Sequence, residues 1–231
     1  MYSLRPDAVT SSPMIDLHTH TTPNGYKITI ALEELGLEYT AHPVDVRAGE
    51  QFAPEIVAMN PNAKIPILVD REAGVTVYES SAILLYLAEK TGRLFPSRDD
   101  AAAYWDGVQK LVFAAASIGP MFGQRMHFSY LAPETVPYGI RRYETEAERL
   151  QQILETMLEG RDYLLGAEYS IVDIAVFGWT MTAFMVGYLP GETTPNLNAW
   201  HERIAAREAV KRGLTVPAAR DASGMPPRKT A

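Results

Sequence analysis

The sequence predicts an α/β plus all-α protein, in which a small mixed sheet with packed helices precedes a domain built of helices alone. In residues 14–96, strand-like and helical patterns alternate in the order β-α-β and then β-β-α. Between 99 and 215, apolar residues recur at helical spacing and no convincing strand pattern occurs. Residues 1–13 and 216–231 are interpreted as a flexible arm and a flexible tail.

The composition narrows the possible classes of protein. The chain has 231 residues, a formal net charge of −7 and no strongly basic segment, which argues against nucleic acid or an anionic membrane as its main partner. No apolar run approaches the length of a transmembrane helix, and the start lacks a signal-peptide core, so a cytoplasmic location is expected. Because there is no cysteine, any thiol chemistry must use a thiol that a ligand brings.

The first 46 residues carry the pattern of a β-α-β unit. Residues 14–19 alternate between apolar and polar side chains, which predicts a half-buried strand. A turn at 21–25 leads into a helix with apolar residues at helical spacing, and Gly36 lies where its C-terminal cap is expected. Residues 39–46 are predicted to form the second strand.

The next segment is predicted to hold two antiparallel strands followed by a helix at 81–90. Pro66 interrupts the first apolar run, 64–69. A proline cannot donate to a strand ladder, so it belongs at a strand end, an edge or a bulge. An edge strand with a trans proline and a cis proline that turns the Ile65 backbone outward both fit this pattern. The spacing alone leaves the two alternatives open.

The second half is predicted to contain four main helices. The first is expected to stop at Gly119-Pro120, and Ser170 with Asp173 three residues later is a typical helix start. The helix behind that start is nearly all apolar, which indicates the buried central helix of an all-α domain. The predicted ranges are 99–118, 137–163, 174–188 and 195–207.

A metal site is one alternative function. His18 and His20, at the end of the first strand, could share a metal ion, with His42, His127 and His201 as possible further ligands. However, the metallohydrolases built this way are barrels of about 250 residues with alternating strands and helices. The second half supplies only helices, so we expect no metal, His18 on the polar face of its strand and His20 near the mouth of the site.

Several motifs, taken in order over about residues 14–213, resemble cytosolic glutathione S-transferases and in particular the bacterial Nu class. The general motifs are Lys64-Ile65-Pro66, Glu79-Ser80 before a helix, and Ser170 with Asp173. The Nu-like motifs are Thr22-Pro23-Asn24-Gly25, Gly49-Glu50-Gln51-Phe52, 78–87, 119–124 and 137–143. The resemblance implies a thioredoxin-like N-terminal domain, an all-helical C-terminal domain, a homodimer and a cis peptide bond at Pro66.

The resemblance also implies a glutathione site, and the sequence offers a partner for each part of that tripeptide. Ser80 and the N–H groups of the following helix start suit the γ-glutamyl carboxylate, and Glu79 suits the ammonium group. The Ile65 backbone, exposed by Pro66, suits pairing with the cysteinyl peptide group, as in a short β-ladder.

Residues further from that centre are assigned to the site by resemblance. Gln51 matches a contact to the glycine end of glutathione, and Lys64 either adds charge there or is a solvated surface lysine. Arg142 of the helical domain is expected to reach the site, with the adjacent Arg141 as the alternative. His127 either joins them or is an ordinary histidine at a helix end.

Thr22 and Asn24 are the residues expected to act on the sulfur. Many transferases use a Tyr, Ser or Cys after the first strand, but this chain has no Cys, and Tyr26 lies at the start of the helix. A Thr hydroxyl, an Asn amide and a helix N-terminus all favour a thiolate and lower a thiol pKa from about 8.5. The alternative interpretation is that Asn24 is simply the cap of the first helix.

The activity that the resemblance implies is glutathione-dependent disulfide-bond reduction, with two glutathiones or oxidised glutathione per subunit. One glutathione thiolate attacks a small disulfide, and a second glutathione resolves the mixed disulfide. Two alternatives stay open. The same thiolate could conjugate or cleave a small electrophile held in an apolar pocket from residues 121–122 and 128–130, or the protein could be a non-catalytic glutathione-binding regulator.

Overall fold

A four-stranded mixed sheet forms the centre of the N-terminal half. The strands are β1 (Ile15–Thr19), β2 (Tyr39–Pro43), β3 (Ile67–Asp70) and β4 (Val75–Tyr78). Their order in the sheet is β2-β1-β3-β4, with β1 and β2 parallel and the other two pairs antiparallel. Because parallel neighbours need a crossover, a helix joins β1 to β2, whereas a tight turn joins β3 to β4.

The computed structural model describes residues 13–185, 193–217 and 229, in which helices and their connecting loops account for the residues outside the sheet. The helices of the first half are α1 (Pro23–Leu35), α2 (Pro54–Met59) and α3 (Ser80–Thr91), with a 3₁₀ turn at Glu50–Phe52. Those of the second half are α4 (Ala101–Phe113), α5 (Gly119–Met126), α6 (Pro137–Met157), α7 (Ile171–Met185), α8 (Pro195–Ala205) and α9 (Glu208–Gly213). The predicted α/β plus all-α fold class is confirmed.

The predicted helix stop at Gly119-Pro120 is wrong. Two π-helical segments, Ala114–Ile118 and His127–Leu131, continue the path of α4 through α5. Gly119 keeps a right-handed helical backbone, and its N–H donates to the carbonyl of Ala114, five residues back. Pro120 lies in the first turn of α5, where a missing N–H costs little.

Other predicted boundaries shift by a few residues. The second strand ends at Pro43 rather than at 46, and α6 ends at Met157 rather than at 163. The predicted 174–188 helix begins earlier, at Ile171, and its predicted end at 186–188 lies outside the described residues. Most of the predicted arm and tail, residues 1–12, 218–228, 230 and 231, also lies outside the described part of the chain.

The start of α7 is held by one buried carboxylate. Asp173 accepts hydrogen bonds from the backbone N–H and hydroxyl of Ser170 at 2.9 and 2.8 Å, from the N–H of Leu164 at 2.9 Å and from the indole of Trp200 at 2.9 Å. The helix-start prediction is therefore confirmed, and the same side chain also links α8 to the loop before α7. Burial raises the pKa of Asp173, and the four donors oppose that shift.

A single apolar core runs through both halves of the chain. Helix α1 packs against α3, α7 and α9, and its apolar side chains share one core cluster with those of β1. The described apolar side chains of α7 are buried except for the partly buried Trp179, as predicted for a central helix. Helix α9 is tied back to α1, because the Thr29 hydroxyl donates to the Gly213 carbonyl at 2.7 Å and Arg207 forms a two-pronged ion pair with Glu34 at 2.6 and 2.8 Å. No helix among the described residues is long and apolar enough to cross a membrane.

Candidate active site

Thr22 caps the N-terminus of α1. Its hydroxyl oxygen accepts a hydrogen bond from the N–H of Gly25 at 3.1 Å. A Cβ atom at Gly25 would lie 2.2 Å from the carbonyl oxygen of His20, so only glycine allows the loop after β1 to fold this closely over the helix start. The alternative that Asn24 is the cap is wrong, because Thr22 occupies that position and Asn24 lies inside the first turn.

The carboxamide of Asn24 contacts side chains from three helices. Its oxygen accepts hydrogen bonds from Lys27 Nζ at 2.9 Å and from the indole N–H of Trp179, on α7, at 3.1 Å. The hydroxyl of Ser80, at the start of α3, lies 3.5 Å from the same oxygen. The structure therefore brings together Asn24 and Ser80, which the sequence had assigned to the same site.

Lys27 is the residue that sequence reasoning missed. Its side chain is on α1, only 1% of the residue is exposed, and Nζ also lies 3.4 Å from the Ser80 hydroxyl. Desolvation lowers the pKa of Lys27 from 10.5 to about 7, and the negative charge of Glu79 partly opposes this shift. The available signal was a lysine one helical turn after Asn24 and directly before the apolar part of α1.

The start of α3 has an unusual backbone. Glu79 has φ of 68°, in the region that favours glycine, and its exposed side chain precedes the free N–H groups of the first turn. Such a conformation costs about 1–3 kcal/mol and tends to occur at functional sites. The hydroxyl oxygen of Ser81 is buried without a hydrogen-bond partner among the described residues. This helix start can therefore receive an anionic group.

The Ile65–Pro66 peptide bond is cis, so the trans alternative is wrong and the expectation from the resemblance is confirmed. Pro66 lies directly before β3 rather than inside the strand. The side-chain amide of the buried Asn60 donates to the Lys64 carbonyl at 2.8 Å and holds this loop. The backbone of Ile65 forms no hydrogen bond with any described residue, so its N–H and C=O are available to a ligand.

The strand register brings these segments to one end of the sheet. Ile67, the first residue of β3, is paired with His18 on one side and with Tyr78 on the other. Tyr78 immediately precedes Glu79, and the chain after His18 runs directly into the capped start of α1. The cis-proline loop, the start of α3 and the start of α1 therefore surround one region.

Gln51 and Lys64 lie on the loops beside this region. Gln51 is in the 3₁₀ turn before α2, and its side-chain oxygen is buried without a partner among the described residues. Val44, Ile56 and Ile67 form a small apolar cluster that anchors this segment to β3. The side chain of Lys64 is exposed, so the structure does not decide between the two interpretations of Lys64.

The structure does not bring the predicted residues of the helical half into contact with Thr22 or Asn24. Arg141 and Arg142 are both exposed on α6, and the charge of Arg142 acts on Glu146, one turn further along the helix. His127 is exposed, and its ring meets the edge of Phe128 at a centroid distance of 5.2 Å.

The histidines of the first strands form surface contacts. His18 is half-buried and stacks on His42 at 4.9 Å, and His42 contacts Asp16 at 2.9 Å. Burial lowers the pKa of His18, and the neighbouring His42 lowers it further. Within residues 13–185, 193–217 and 229, no group of three or more His, Cys, Asp or Glu side chains could hold a metal ion.

These features define the class of protein. Residues 22–90 match the family model of the glutathione S-transferase N-terminal domain, and residues 129–208 match that of the C-terminal domain. The chain belongs to the glutathione S-transferase family, as the motifs predicted.

Particular relatives sharpen this assignment. The disulfide-bond oxidoreductase YfcG of Escherichia coli (strain K12) is 44% identical over 209 residues, which cover 87% of this chain and 94% of the relative. A solved glutathione transferase of Burkholderia graminis, with two glutathione molecules bound per subunit, is 40% identical with a TM-score of 0.83, covering 92% of this chain and 91% of that one. A glutathione transferase of Pseudomonas putida, with one glutathione disulfide bound per subunit, is 35% identical with a TM-score of 0.81. The match covers 92% of this chain and 94% of that one.

Proposed function

We propose that this protein is a glutathione-dependent disulfide-bond oxidoreductase that reduces small disulfides. The observation that carries the proposal is the Asn24 carboxamide, which lies in the first turn of α1 beside the start of α3, in a chain without cysteine. Such a site can stabilise a ligand thiolate but has no thiol of its own. The similarity to the oxidoreductase YfcG supports the same activity.

In this proposal, Thr22 and Asn24 act on the sulfur of glutathione. The Asn24 N–H₂ group and the N-terminal end of the α1 dipole both favour a negative charge, so they lower the thiol pKa. The Thr22 hydroxyl already accepts the Gly25 N–H, so its own hydrogen is available to donate to the sulfur.

The remaining contacts hold the peptide. Ser80 and the first-turn N–H groups of α3 bind the γ-glutamyl carboxylate, and Glu79 binds the ammonium group. The free backbone groups of Ile65, which precede the cis Pro66, pair with the cysteinyl residue. The buried side-chain oxygen of Gln51, which has no partner among the described residues, accepts the N–H of the glycine end. These contacts leave the sulfur at the start of α1.

Two peripheral residues complete the proposed site. Arg142 supplies positive charge from the helical half, where the carboxylates of a second glutathione would need it. Lys64, which is exposed beside Ile65, adds charge near the glycine end. Neither side chain forms a salt bridge with a described residue, so no ion pair has to break when they contact the ligand.

The reaction balances with two glutathiones and one disulfide. The first glutathione thiolate forms a bond to one substrate sulfur, and the other substrate sulfur leaves as a thiolate that takes up a proton. The second glutathione then forms glutathione disulfide and releases the remaining substrate thiol. Two glutathiones are oxidised, and the protein supplies only binding and charge stabilisation.

Conjugation of a small electrophile has less structural support. Phe122 and Tyr130, which were expected to line an apolar pocket, are only 5% and 8% exposed because they pack between helices. Phe128 stacks on Tyr143 at a centroid distance of 5.3 Å. These side chains therefore expose little apolar surface that a substrate could contact.

The proposal includes a homodimer. Phe52, Tyr78, Trp105 and Val112 are large apolar side chains that are all exposed in the single chain. Trp105 and Val112 are seven residues apart on α4 and so lie on one face. β4 is the edge strand of the sheet, and such edges are commonly covered. A second copy of this chain would bury these surfaces.

The first experiment is an assay of glutathione-dependent reduction of hydroxyethyl disulfide. We expect the wild-type protein to be active, and Thr22→Ala and Asn24→Ala each to lower kcat/KM by about tenfold or more, because about one pKa unit of thiolate stabilisation is lost. Asn196→Ala is the matched control, since Pro195-Asn196 begins α8 just as Pro23-Asn24 begins α1.

Three results would contradict the proposal or part of it. Conjugation of a chlorinated aromatic without disulfide reduction would favour the transferase alternative. Tight binding of glutathione with neither activity would indicate a regulatory protein. Unchanged turnover in both alanine variants would remove Thr22 and Asn24 from the mechanism.

A further inference from the structure

The oxygen of the Asn24 carboxamide is surrounded by donors from both halves of the chain. Lys27 donates from the same helix at 2.9 Å, and Trp179 donates from α7 at 3.1 Å. The Ser80 hydroxyl, 3.5 Å away, can donate as well. None of these contacts is needed to cap α1, since Thr22 already does so.

This arrangement allows only one orientation of the amide. An ammonium group and an indole N–H can donate but cannot accept, so the atom that faces Lys27 and Trp179 must be the carboxamide oxygen. The N–H₂ group then points the other way. It forms no hydrogen bond with any described residue, and Asn24 is partly exposed, so two N–H donors remain for a ligand.

Three glycines leave the space that the side chains of Lys27 and Trp179 occupy. A Cβ atom at Gly119 would lie 2.9 Å from the indole nitrogen of Trp179, and one at Gly123 would lie 3.2 Å from its ring. A Cβ atom at Gly178 would lie 2.8 Å from Cγ of Lys27. Helix α5 therefore presents bare backbone where the indole passes, and α7 presents it where the lysine stem passes, so larger residues would displace both side chains.

We propose that Lys27 and Trp179 are positioning residues, which hold the Asn24 carboxamide with its N–H₂ group toward the sulfur of bound glutathione. This inference rests on the function proposed above and adds two residues to it. It also makes the sulfur site a product of both halves of the chain, because Trp179 belongs to the helical half.

The charge of Lys27 strengthens this arrangement. The charged group known to act on Lys27 in the described part of the chain is Glu79, at the start of α3. The other groups that contact its nitrogen are the neutral Asn24 amide and the Ser80 hydroxyl. A thiolate at the far side of the amide adds negative charge and favours the ammonium form, and by linkage the ammonium form favours the thiolate.

The test is the thiol pKa of glutathione bound to the full-length protein, measured from the pH dependence of thiolate absorbance in the ultraviolet. We expect Lys27→Met and Trp179→Phe each to raise this pKa by about one unit, which means about tenfold less thiolate below the pKa. Lys110→Met is the matched control, because that half-buried lysine contacts Asp106 and the Leu164 carbonyl instead and should leave the profile unchanged.

Double variants show whether the effect passes through Asn24. If it does, adding Trp179→Phe to Asn24→Ala shifts the thiol pKa no further than Asn24→Ala alone, and adding Lys27→Met shifts it by clearly less than Lys27→Met shifts the wild type, because only the direct effect of the lysine charge remains. Additive shifts, or no shift in either single variant, would overturn the proposal. Trp179→Phe decides the matter if Lys27→Met does not fold. A wild-type protein that binds glutathione as thiolate but reduces no disulfide would refute the proposed function and leave this test intact.

Discussion

The burial of Lys27 has a thermodynamic consequence at the scale of a single residue. Desolvation lowers its pKa in the folded protein from 10.5 to about 7, whereas the unfolded chain keeps the ordinary value. Between these two pH values the unfolded state binds more protons than the folded state. The contribution of Lys27 to the free energy of unfolding therefore rises with pH from about 7 to about 10.5 and is least favourable below about 7.

We therefore expect Lys27→Met to stabilise the protein while it weakens the sulfur site. The free energy of unfolding should increase by about 1–3 kcal/mol near pH 7, because a buried ammonium is replaced by an apolar chain of similar length. The difference from wild type should shrink toward about pH 10, where Lys27 is neutral in the fold. Urea unfolding at several pH values measures this.

The exposed Lys211 provides the control for that experiment. Lys211→Met should change the unfolding free energy little at any pH, since its partner is the exposed Glu208. A Lys27→Met protein that is less stable than wild type across the whole pH range would contradict the expected cost of burying Lys27.

The candidate site residues proposed from the sequence were those with local signals. Thr22 and Asn24 follow a strand and precede a helix, which is enough to place them at a helix N-terminus. Lys27 was missed because its burial and its contact with Ser80, 53 positions away, arise from tertiary packing, although its other partner, Asn24, is only three positions away. The contact between Asn24 and Trp179 spans 155 positions. No spacing rule connects residues so far apart.

At the scale of the element, one carboxylate organises the start of α7. Asp173 receives four hydrogen bonds and is fully buried, whereas Asp100, the cap of α4, is exposed and accepts one from Ala103. The two residues have the same chemistry at two helix starts, so they form a matched pair for measuring the effect of burial.

We expect Asp173→Ala to lower the free energy of unfolding by about 3–5 kcal/mol, because several buried donors lose their acceptor. Asp100→Ala should cost about 1 kcal/mol, as is usual for an exposed helix cap. Chemical denaturation of both variants compares the two values. Similar losses at both positions would show that the extra contacts of Asp173 add nothing to ordinary capping.

Elements were predicted well where the signals lie within a few residues. The order of strands and helices along the first half and the start of α7 followed from alternation, turns and a capping pair. The predicted stop at Gly119-Pro120 failed because glycine was interpreted as a helix end, whereas in the structure Gly119 and Gly123 make room for the indole of Trp179. That reason depends on packing with another helix and is invisible in the local pattern.

At the scale of the whole molecule, the proposed dimer can be tested through its exposed apolar side chains. Trp105 on α4 is 62% exposed, and Trp105→Glu should shift the protein from dimer to monomer in light scattering coupled to size-exclusion chromatography. Tyr138→Glu is the control, because this residue is similarly exposed at 71% but lies on α6, outside the proposed interface. A wild-type monomer would refute the dimer.

The overall fold was predictable because its class depends on the order of many local patterns, each of which tolerates small errors. The site was predictable only in part. Its N-terminal segments could be assigned by resemblance, but the contribution of Trp179 required the packing of α7 on α1.

The tie between α9 and α1 has a consequence for the protein during its synthesis. The first 96 residues include the four strands of the sheet and most of the segments proposed to bind glutathione, yet Ile30 and Thr29 of α1 are covered by Gly213. When only the first 96 residues of a nascent chain have emerged from the ribosome, that face of α1 is exposed to water. The indole of Trp179, which donates to Asn24, has not yet been synthesised. The contact between Trp179 and Asn24 can therefore form only after α7 has emerged, and the cover over Thr29 and Ile30 only after α9 has emerged.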